Sequence, residues 1–595
     1  MISHPMAHAL RRIPLPVLAH QLRRKLRDHV VPVAPRHYAR RLARWTDATP
    51  ELPQPCVLDA GLADLIGRYY RVDAAARAEA ARGTFRLMGR QVDFGGMTDI
   101  DWRYCLPEEK DHHLWRMKLC QLEVMHSLLA EGDADDAQTA LTLLDAFERA
   151  TGFDLPAPFQ TIWSPYGASH RILALLSGLA LAQARGKSDP QLHDRVAGLL
   201  RRDAAFVRAN VEHDLRNNHT ERNLAALCLY GMACGGYGGA ANRRLDGEVA
   251  AIIAQTILPD GMQIERSAMY QGLSVMALRI FAATPFLQAE TRALARDRGD
   301  AAARAWALLS HRDGQIALFN DAWMGEVPPV ASVLADVLRT DGSSSLPDAG
   351  YAHLAHGVID VWMDAGAIGP VWNPGHGHAD FLALELDVAG ERLFVDPGTS
   401  QYSTGPRRAH ERSAASHNGP CFDGAEPVDY LGCFKVGRLA AARPLDRSEL
   451  AGLPDHTIGG VLRTGAGKVR RLVTPLPDGA LLIADGWSSG PAPTRSRFLI
   501  PADWQIMMEN ASLFRLCKGA TVVWLDILEG AAVLTRPDHW SRHYMTLERA
   551  HVLDILPVSH DDWRFGIMRL RTTPSASAER IETLQLLRER VREGL

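Results

Sequence analysis

Two histidines, His376 and His378, stand one residue apart in "NPGHGHADFLALEL" (residues 373–386), with Asp380 two positions further on. Imidazole titrates near neutrality and binds metals through a neutral nitrogen, so the pair offers either acid–base chemistry or ligation. Downstream lie Asp396 in "FVDPGTS" and His417 in "AASHN". Two histidines and a carboxylate on neighbouring strands make the kind of nitrogen and oxygen shell that zinc takes. The intervals are too long for a local metal motif. The competing reading is that these are turn and core residues, with Asp396 capping the "DPG" turn. Upstream, "RNNHTERNL" (216–224) places Asn218 and His219 before an apolar helical run, where an amide is also an ordinary N-cap. "PDGMQIERSAMYQGL" sets Glu265, Arg266 and Tyr270 at or beside a helix start. "NHT" is a glycosylation sequon, set aside because no export signal is found.

The elements that must position these groups fall into two halves. From His378 onward, Leu382, Leu384, Leu386 and Val388 alternate with Ala383, Glu385 and Asp387, the period of a half-buried strand. "RLFVD", "VRRLVTPL", "ALLIADGW" and "TVVWLDIL" continue the pattern between turn signals, which predicts an antiparallel β-sandwich over 341–595. Residues 46–340 have the other period. In "HLWRMKLCQLEVMHSLLA", Trp115, Leu119, Leu122, Met125 and Leu129 recur on one helical face. "HRILALLSGLALAQARG" and "SVMALRIFAA" read the same way, as serial hairpins stacked into a bundle, solenoid or toroid.

The chain has 595 residues, 47% apolar and 23% charged, with a net charge of −3. That balance gives no electrostatic reason to expect nucleic acid. Residues 1–45 differ, with ten Lys/Arg against the single acid Asp28. They read as a solvated, partly helical arm, the alternative being a surface that touches anionic lipid or polymer. No transmembrane segment is expected. "NLAALCLYGMACGGYGGAAN" (223–242) is crowded with glycine and reads as a buried helix ending in a turn. The eight cysteines form no CxxC pair, which suits a reducing compartment. With no clear signal peptide, the cytoplasm and the periplasm or envelope of a bacterium are both compatible. So is a homodimer.

The order and spacing of these pieces resemble the heparinase II/III-like polysaccharide lyases, relatives of the alginate lyases. "GHGHADFLALELDVAGERLFVDPGT", "ERSAASHN", "NNH" and "ERSAMY" carry the resemblance, with "HRDGQIALFNDA" a softer echo, over roughly residues 80 to 560. It implies an incomplete (α/α) toroid followed by an antiparallel β-sandwich. It also implies β-elimination on an anionic uronic-acid polysaccharide, leaving unsaturated uronate ends. By that similarity Asn218 and His219 hold the uronate carboxylate, Tyr270 shuttles a proton, and His376 is base or charge neutraliser. His378, Asp396 and His417 match the family's metal ligands, implying a structural Zn2+. Tyr402 in "SQYSTGPRR" matches a tyrosine near the substrate. Trp115, Arg116, Arg266 and Arg412 are candidates for sugar stacking and carboxylate binding; a helix-face or loop salt bridge is the competing reading for the arginines, and the apolar face of its helix favours packing for Trp115. Arg407 and Arg408 meet either polymer or solvent. Gln263 stands where relatives often carry an aromatic or histidine. A glycoside hydrolase would need two opposed carboxyl groups, for which Glu265 and Asp380 lack supporting spacing. A catalytically silent polysaccharide-binding protein of an exopolysaccharide assembly system is the other reading.

Overall fold

The computed structural model describes residues 4–334, 342–488, 490, 492–574 and 580–592. The first half is helical and forms an incomplete (α/α) toroid. Pro165–Ala184 packs against Pro190–Ala209 and Asn218–Ala233, and Asn218–Ala233 packs in turn against Ala268–Ala283. Capping residues start these helices: Ser164, Asp189 and Asn217 each accept a hydrogen bond from a first-turn backbone N–H. The glycine-rich stretch is a buried helix, Asn218–Ala233, ending in a turn where Gly235, Gly236 and Gly238 have positive φ. No helix among the described residues is long and apolar enough to cross a membrane.

The second half is antiparallel β-structure. Among the described residues it contains a nine-, a four- and a five-stranded sheet. The five-stranded sheet positions the site, because Ala383–Val388 lies between Ile359–Asp364 and Glu391–Phe394. An apolar core between the sheets includes Leu384, Leu386, Phe394, Phe498 and Trp487. A second core runs from the toroid into this half, joining Tyr270 and Trp306 to Tyr351, Trp362 and Tyr402. The halves therefore meet across a continuous packed interior, which fixes groups on one side relative to groups on the other.

Three features differ from expectation. The stretch read as one helix from His113 is two, Leu114–Gln121 and Val124–Ala130, broken at Leu122 with φ of 55°. The buried Arg171 guanidinium takes the Cys120 carbonyl at 2.8 Å, competing with helix continuation there. The basic segment is not a solvated arm: its helix Pro35–Asp47 buries Tyr38 and Leu42 against Pro190–Ala209. A C-terminal helix, Arg580–Arg592, covers the outer face of the sandwich with Leu587 and Val591. The boundary placed at residue 340 lies outside the described residues.

Candidate functional site

The two histidines that open the strand lie ahead of it, in a loop, because regular pairing begins only at Ala383. Gly377 between them passes so close to Ile368 that an added Cβ would lie 1.9 Å from its carbonyl oxygen. No side chain fits, so this position is restricted to glycine by space. The irregular backbone lets both imidazoles reach one carboxylate. His376 Nδ1 lies 2.8 Å from Asp321 Oδ2, and His378 Nε2 lies 2.9 Å from Asp321 Oδ1. Arg408 grips the same group from the other side, with Nη2 donating to Oδ2 at 2.8 Å and Nη1 donating to Oδ1. Burial alone would raise the Asp321 carboxyl, but Arg408 and the two histidines outweigh it and hold the group well below the usual carboxylate range. An ionised carboxylate only accepts, so His376 carries a hydrogen on Nδ1 and His378 one on Nε2. The other nitrogen of each ring is thereby left for different work.

Across the cleft, Tyr270 sits in the first turn of Ala268–Ala283, just after the left-handed Arg266 (φ 56°). Its hydroxyl lies 3.2 Å from His376 Nδ1 and 2.7 Å from the Tyr402 hydroxyl. Burial, with Tyr402, Asp321 and Glu265 nearby, pushes the Tyr270 phenol well above its ordinary range, so it is protonated at rest. His112 and Phe434 pack edge-on to Tyr402 at 5.3 and 5.0 Å between ring centres, and Phe434 also meets His376 at 5.3 Å.

Asn218 and His219 occupy the start of the helix Asn218–Ala233 on the toroid side. The Asn218 side-chain Nδ2 and backbone N donate to Glu265 Oε2 at 2.8 and 3.1 Å, and Asn217 Nδ2 donates to Oε1 at 2.9 Å. Gln263 Nε2 donates to Glu265 Oε2 at 2.8 Å, so it supports the site from beneath. Glu265 in turn lies 3.5 Å from His376 Nε2. Asn218 keeps a second N–H for a ligand, and is too buried (2% exposed) to serve as a glycan acceptor. His219 stacks on Tyr166 at 4.2 Å between ring centres and places Nδ1 3.2 Å from Glu212 Oε1. Asn218, Tyr270, His376 and Tyr402 are thus linked between the halves, Asn218 through Glu265, with His219 next to Asn218 in the chain.

Other nominated residues have structural duties. Trp115 is fully buried, its indole N–H donating to the Arg90 carbonyl at 3.2 Å, so it offers no face to a sugar. Arg116 is buried against Cys105 Sγ and the Arg103 carbonyl. Arg266 ties the toroid to the sandwich by donating to the Ala349 carbonyl at 3.0 Å. Arg412 clamps the histidine loop, donating to the Gly375 and Gly377 carbonyls at 3.1 and 3.0 Å, and burial pushes it down to about 10. Arg408 is the buried partner of Asp321 and not a loop charge in solvent.

Behind His376 the ligand candidates gather. Single donor atoms of Asp380, Asp396 and His417, all buried, lie within 4.8 Å of one another. His417 turns Nδ1 to Asp396 Oδ2 at 2.7 Å, and its Nε2 has no partner; nor has His378 Nδ1. The two ring centres are 5.4 Å apart, close to the roughly 5 Å expected for imidazoles sharing a metal at about 2.0–2.1 Å. Burial pushes His378 down to about 3 and His417 down to about 4, keeping both rings in the neutral, ligating form. Burial and Asp364 push Asp380 up to about 8, and burial and Glu385 raise Asp396 strongly. The donor set of Asp380, Asp396 and His417 suits a divalent cation, with the partnerless His378 Nδ1 outside that group of three. Asp380, not nominated from sequence as a ligand, belongs to this cluster.

Residues 338–556 match the family model "Heparinase II/III-like, C-terminal". This part of the chain is similar to that domain. The matched region carries His376, His378, Asp396, Tyr402 and His417, while Asn218 and Tyr270 come from the toroid. Among solved structures, a heparinase III is 14% identical with a TM-score of 0.63, covering 86% of each chain. A heparan sulfate lyase from Pedobacter heparinus, in a mutant form, is 14% identical with a TM-score of 0.58, covering 85% of this chain and 84% of its own. These likenesses are of fold. No curated protein matches the sequence.

Sequence reasoning did not nominate Asp321 and Glu212, and it weighed Glu265 and Arg408 for other duties than those the structure gives them. Asp321 lies in the quoted echo "HRDGQIALFNDA", and a buried acid there, with two histidines to satisfy, was the available signal.

Proposed function

We propose that the protein is a polysaccharide lyase that cleaves a uronic-acid polymer by β-elimination. The observation that carries this reading is the Tyr270 hydroxyl, protonated and within hydrogen-bond range of both His376 and Tyr402, in a cleft that also holds Asn218 and His219. Elimination has three requirements, and each has a matching group. The uronate carboxylate must be neutralised as C5 loses its proton, and Asn218 and His219 at a helix N-terminus supply donors for it. A base must take that proton, and the nitrogen left free when Asp321 claims Nδ1 is His376 Nε2. An acid must protonate O4 as the C4–O4 bond breaks, and Tyr270 arrives with its proton in place. The C4–C5 double bond then forms. The tyrosinate recovers a proton from the adjacent Nδ1 of the histidine that gained one at Nε2, and His376 regains its starting tautomer once Nε2 releases its proton to solvent and Nδ1 takes one up. The fold likeness to a heparinase III and to a heparan sulfate lyase supports a glycan polymer as substrate.

We also propose a structural zinc ion held by His378, Asp396 and His417, with Asp380 beside them. Its chemistry would be to neutralise the carboxylates and tie the histidine loop to the strands behind it. Metal analysis of protein purified without chelator should find about one zinc per chain, lost in His378→Ala together with thermal stability. Far less metal in the parent, with His378→Ala equally stable, would refute it.

The decisive experiment for the reaction is ultraviolet absorbance during incubation with heparan sulfate, hyaluronan, chondroitin, alginate and glucuronan. Elimination conjugates an alkene to the carboxylate and raises absorbance; hydrolysis does not. A rise on one polymer is the expected result. Silence on all of them, with binding to one, would favour a polysaccharide-binding protein of an exopolysaccharide assembly system.

A further inference from the structure

The basic N-terminal segment does not trail away from the site. Arg12 Nη2 donates to the Val436 carbonyl of the sandwich at 2.6 Å, and Arg27 Nη1 donates to Asn210 Oδ1 of the toroid at 2.9 Å. The segment therefore bridges both halves beside the catalytic cleft. Beneath the helix Leu15–Val30 it encloses a second cleft of about 870 Å3, against the ends of Pro190–Ala209 and Asn218–Ala233. That volume lies within the range of about 300–1,000 Å3 usual for ligand clefts.

Seven arginines and three carboxylates line this cleft. The carboxylates are already engaged: Asp214 by Arg24 at 2.9 Å, Glu248 by Arg244 at 2.8 Å, and Glu212 by His219 at 3.2 Å. Arg23, Arg41, Arg208 and Arg216 have no carboxylate partner among the described residues. Arg41 lies over Trp45 and Arg208 over Tyr237, at 4.9 and 5.4 Å from the ring centres. The arginines cover these rings, so the cleft presents a row of guanidinium forks, which suits a ligand with repeated acidic groups. Arg216 is the telling member. It lines the cleft two residues before Asn218, half-buried, and holds a left-handed backbone (φ 50°) that an arginine rarely adopts. Glu212 forms the shared wall, with its carboxylate held by His219 and lowered, against the effect of burial, by His219 and Arg24.

We infer that this second cleft binds the acidic sugars extending from the one held at Asn218 and His219, and that Arg216 is its specificity-determining cation. The inference rests on the lyase reading for the direction of the polymer, but its test reads binding alone. In a Tyr270→Phe background, which prevents turnover, calorimetry compares disaccharides with octasaccharides of heparan sulfate and of alginate, with cellooctaose as neutral control. The octasaccharide-to-disaccharide affinity ratio should fall about tenfold in Arg216→Asn, and similarly in Arg23→Ala/Arg41→Ala. Asparagine tolerates the left-handed backbone, and Arg23 and Arg41 are exposed, so neither variant threatens the fold. A ratio unmoved by both variants overturns the inference, as does cellooctaose binding equal to that of the acidic chains. If no polymer yields unsaturated product but the ratio falls, elimination is refuted and the distal cleft stands. If product forms and the ratio does not move, only the cleft is refuted.

Discussion

The two walls of the candidate site are built differently. On the sandwich wall, one carboxylate, Asp321, is gripped by His376, His378, Arg408 and Thr399, and it is fully buried. Both oxygens of this carboxylate are held in a fixed direction before substrate arrives. On the toroid wall, His219 is 26% exposed on its side chain, its single carboxylate partner opens onto a basic cleft, and the Asn218 Oδ1 has no partner. Preorganised donors and acceptors are worth most where charge develops in the transition state. Groups that must accommodate a polymer gain from adjustability. On the lyase reading, the base and its support stand on the sandwich side and sugar recognition on the toroid side, with Tyr270 of the toroid reaching across as proton donor.

Breaking the linked set of Tyr270, His376 and Asp321 should have the larger consequences. Tyr270→Phe removes the proton donor shared between the walls without changing volume. A fall in kcat of about 10²–10⁴ is expected with polymer binding retained, read by absorbance kinetics beside calorimetry. A loss of binding equal to the loss of kcat would place Tyr270 in recognition instead. Asp321→Asn is next. It leaves the buried Arg408 without its charge partner and frees both histidines, so destabilisation of about 3–5 kcal/mol is expected in urea unfolding. A variant as stable as the parent would show that the grip on the two histidines contributes nothing to the fold.

The two walls also differed in how far the sequence disclosed them. The halves were legible because period 2 and period 3.6 are visible in one chain, as in "FLALELDV" and "HRILALLSGLALAQARG". Asn218, Tyr270, His376 and Tyr402 were reachable through motif resemblance. What was hidden is long-range pairing. Asp321 and Arg408 are 87 residues apart, and no local pattern says that an arginine of the short helix Pro406–Glu411 turns inward to neutralise a buried acid. Trp115 and Arg412 failed for the opposite reason, since residue types suited to sugars are equally suited to cores, and only packing decides.

On the toroid wall the expected effects are smaller. Glu212→Gln keeps the shape but removes the charge that holds His219, so KM should rise several-fold with kcat reduced less, since exposed charge pairs contribute only about 0–1 kcal/mol and this one is partly buried. A drop confined to kcat would assign His219 to the chemical step and erase the division between the walls.

The smallest effect concerns the layer beneath the sandwich wall and follows from sign alone. His311 is buried between Glu385 and Asp387, with Nε2 and Nδ1 at 2.8 and 2.7 Å from their oxygens, and Arg392 and Asp313 close by. Burial and Arg392 push this imidazole down, but the two carboxylates prevail and raise it above its ordinary value of 6.5. A group raised on folding contributes stability that is complete below its unfolded value and is lost as pH rises through its folded one. Stability should therefore decline from pH 6.5 upward, in urea unfolding at pH 5.5, 7 and 8.5, and the decline should be shallower in His311→Gln. Identical slopes would mean that the imidazole stays neutral between its two acids, in which case the carboxylates rely on Arg392 and the sandwich wall is anchored by one cation, not two.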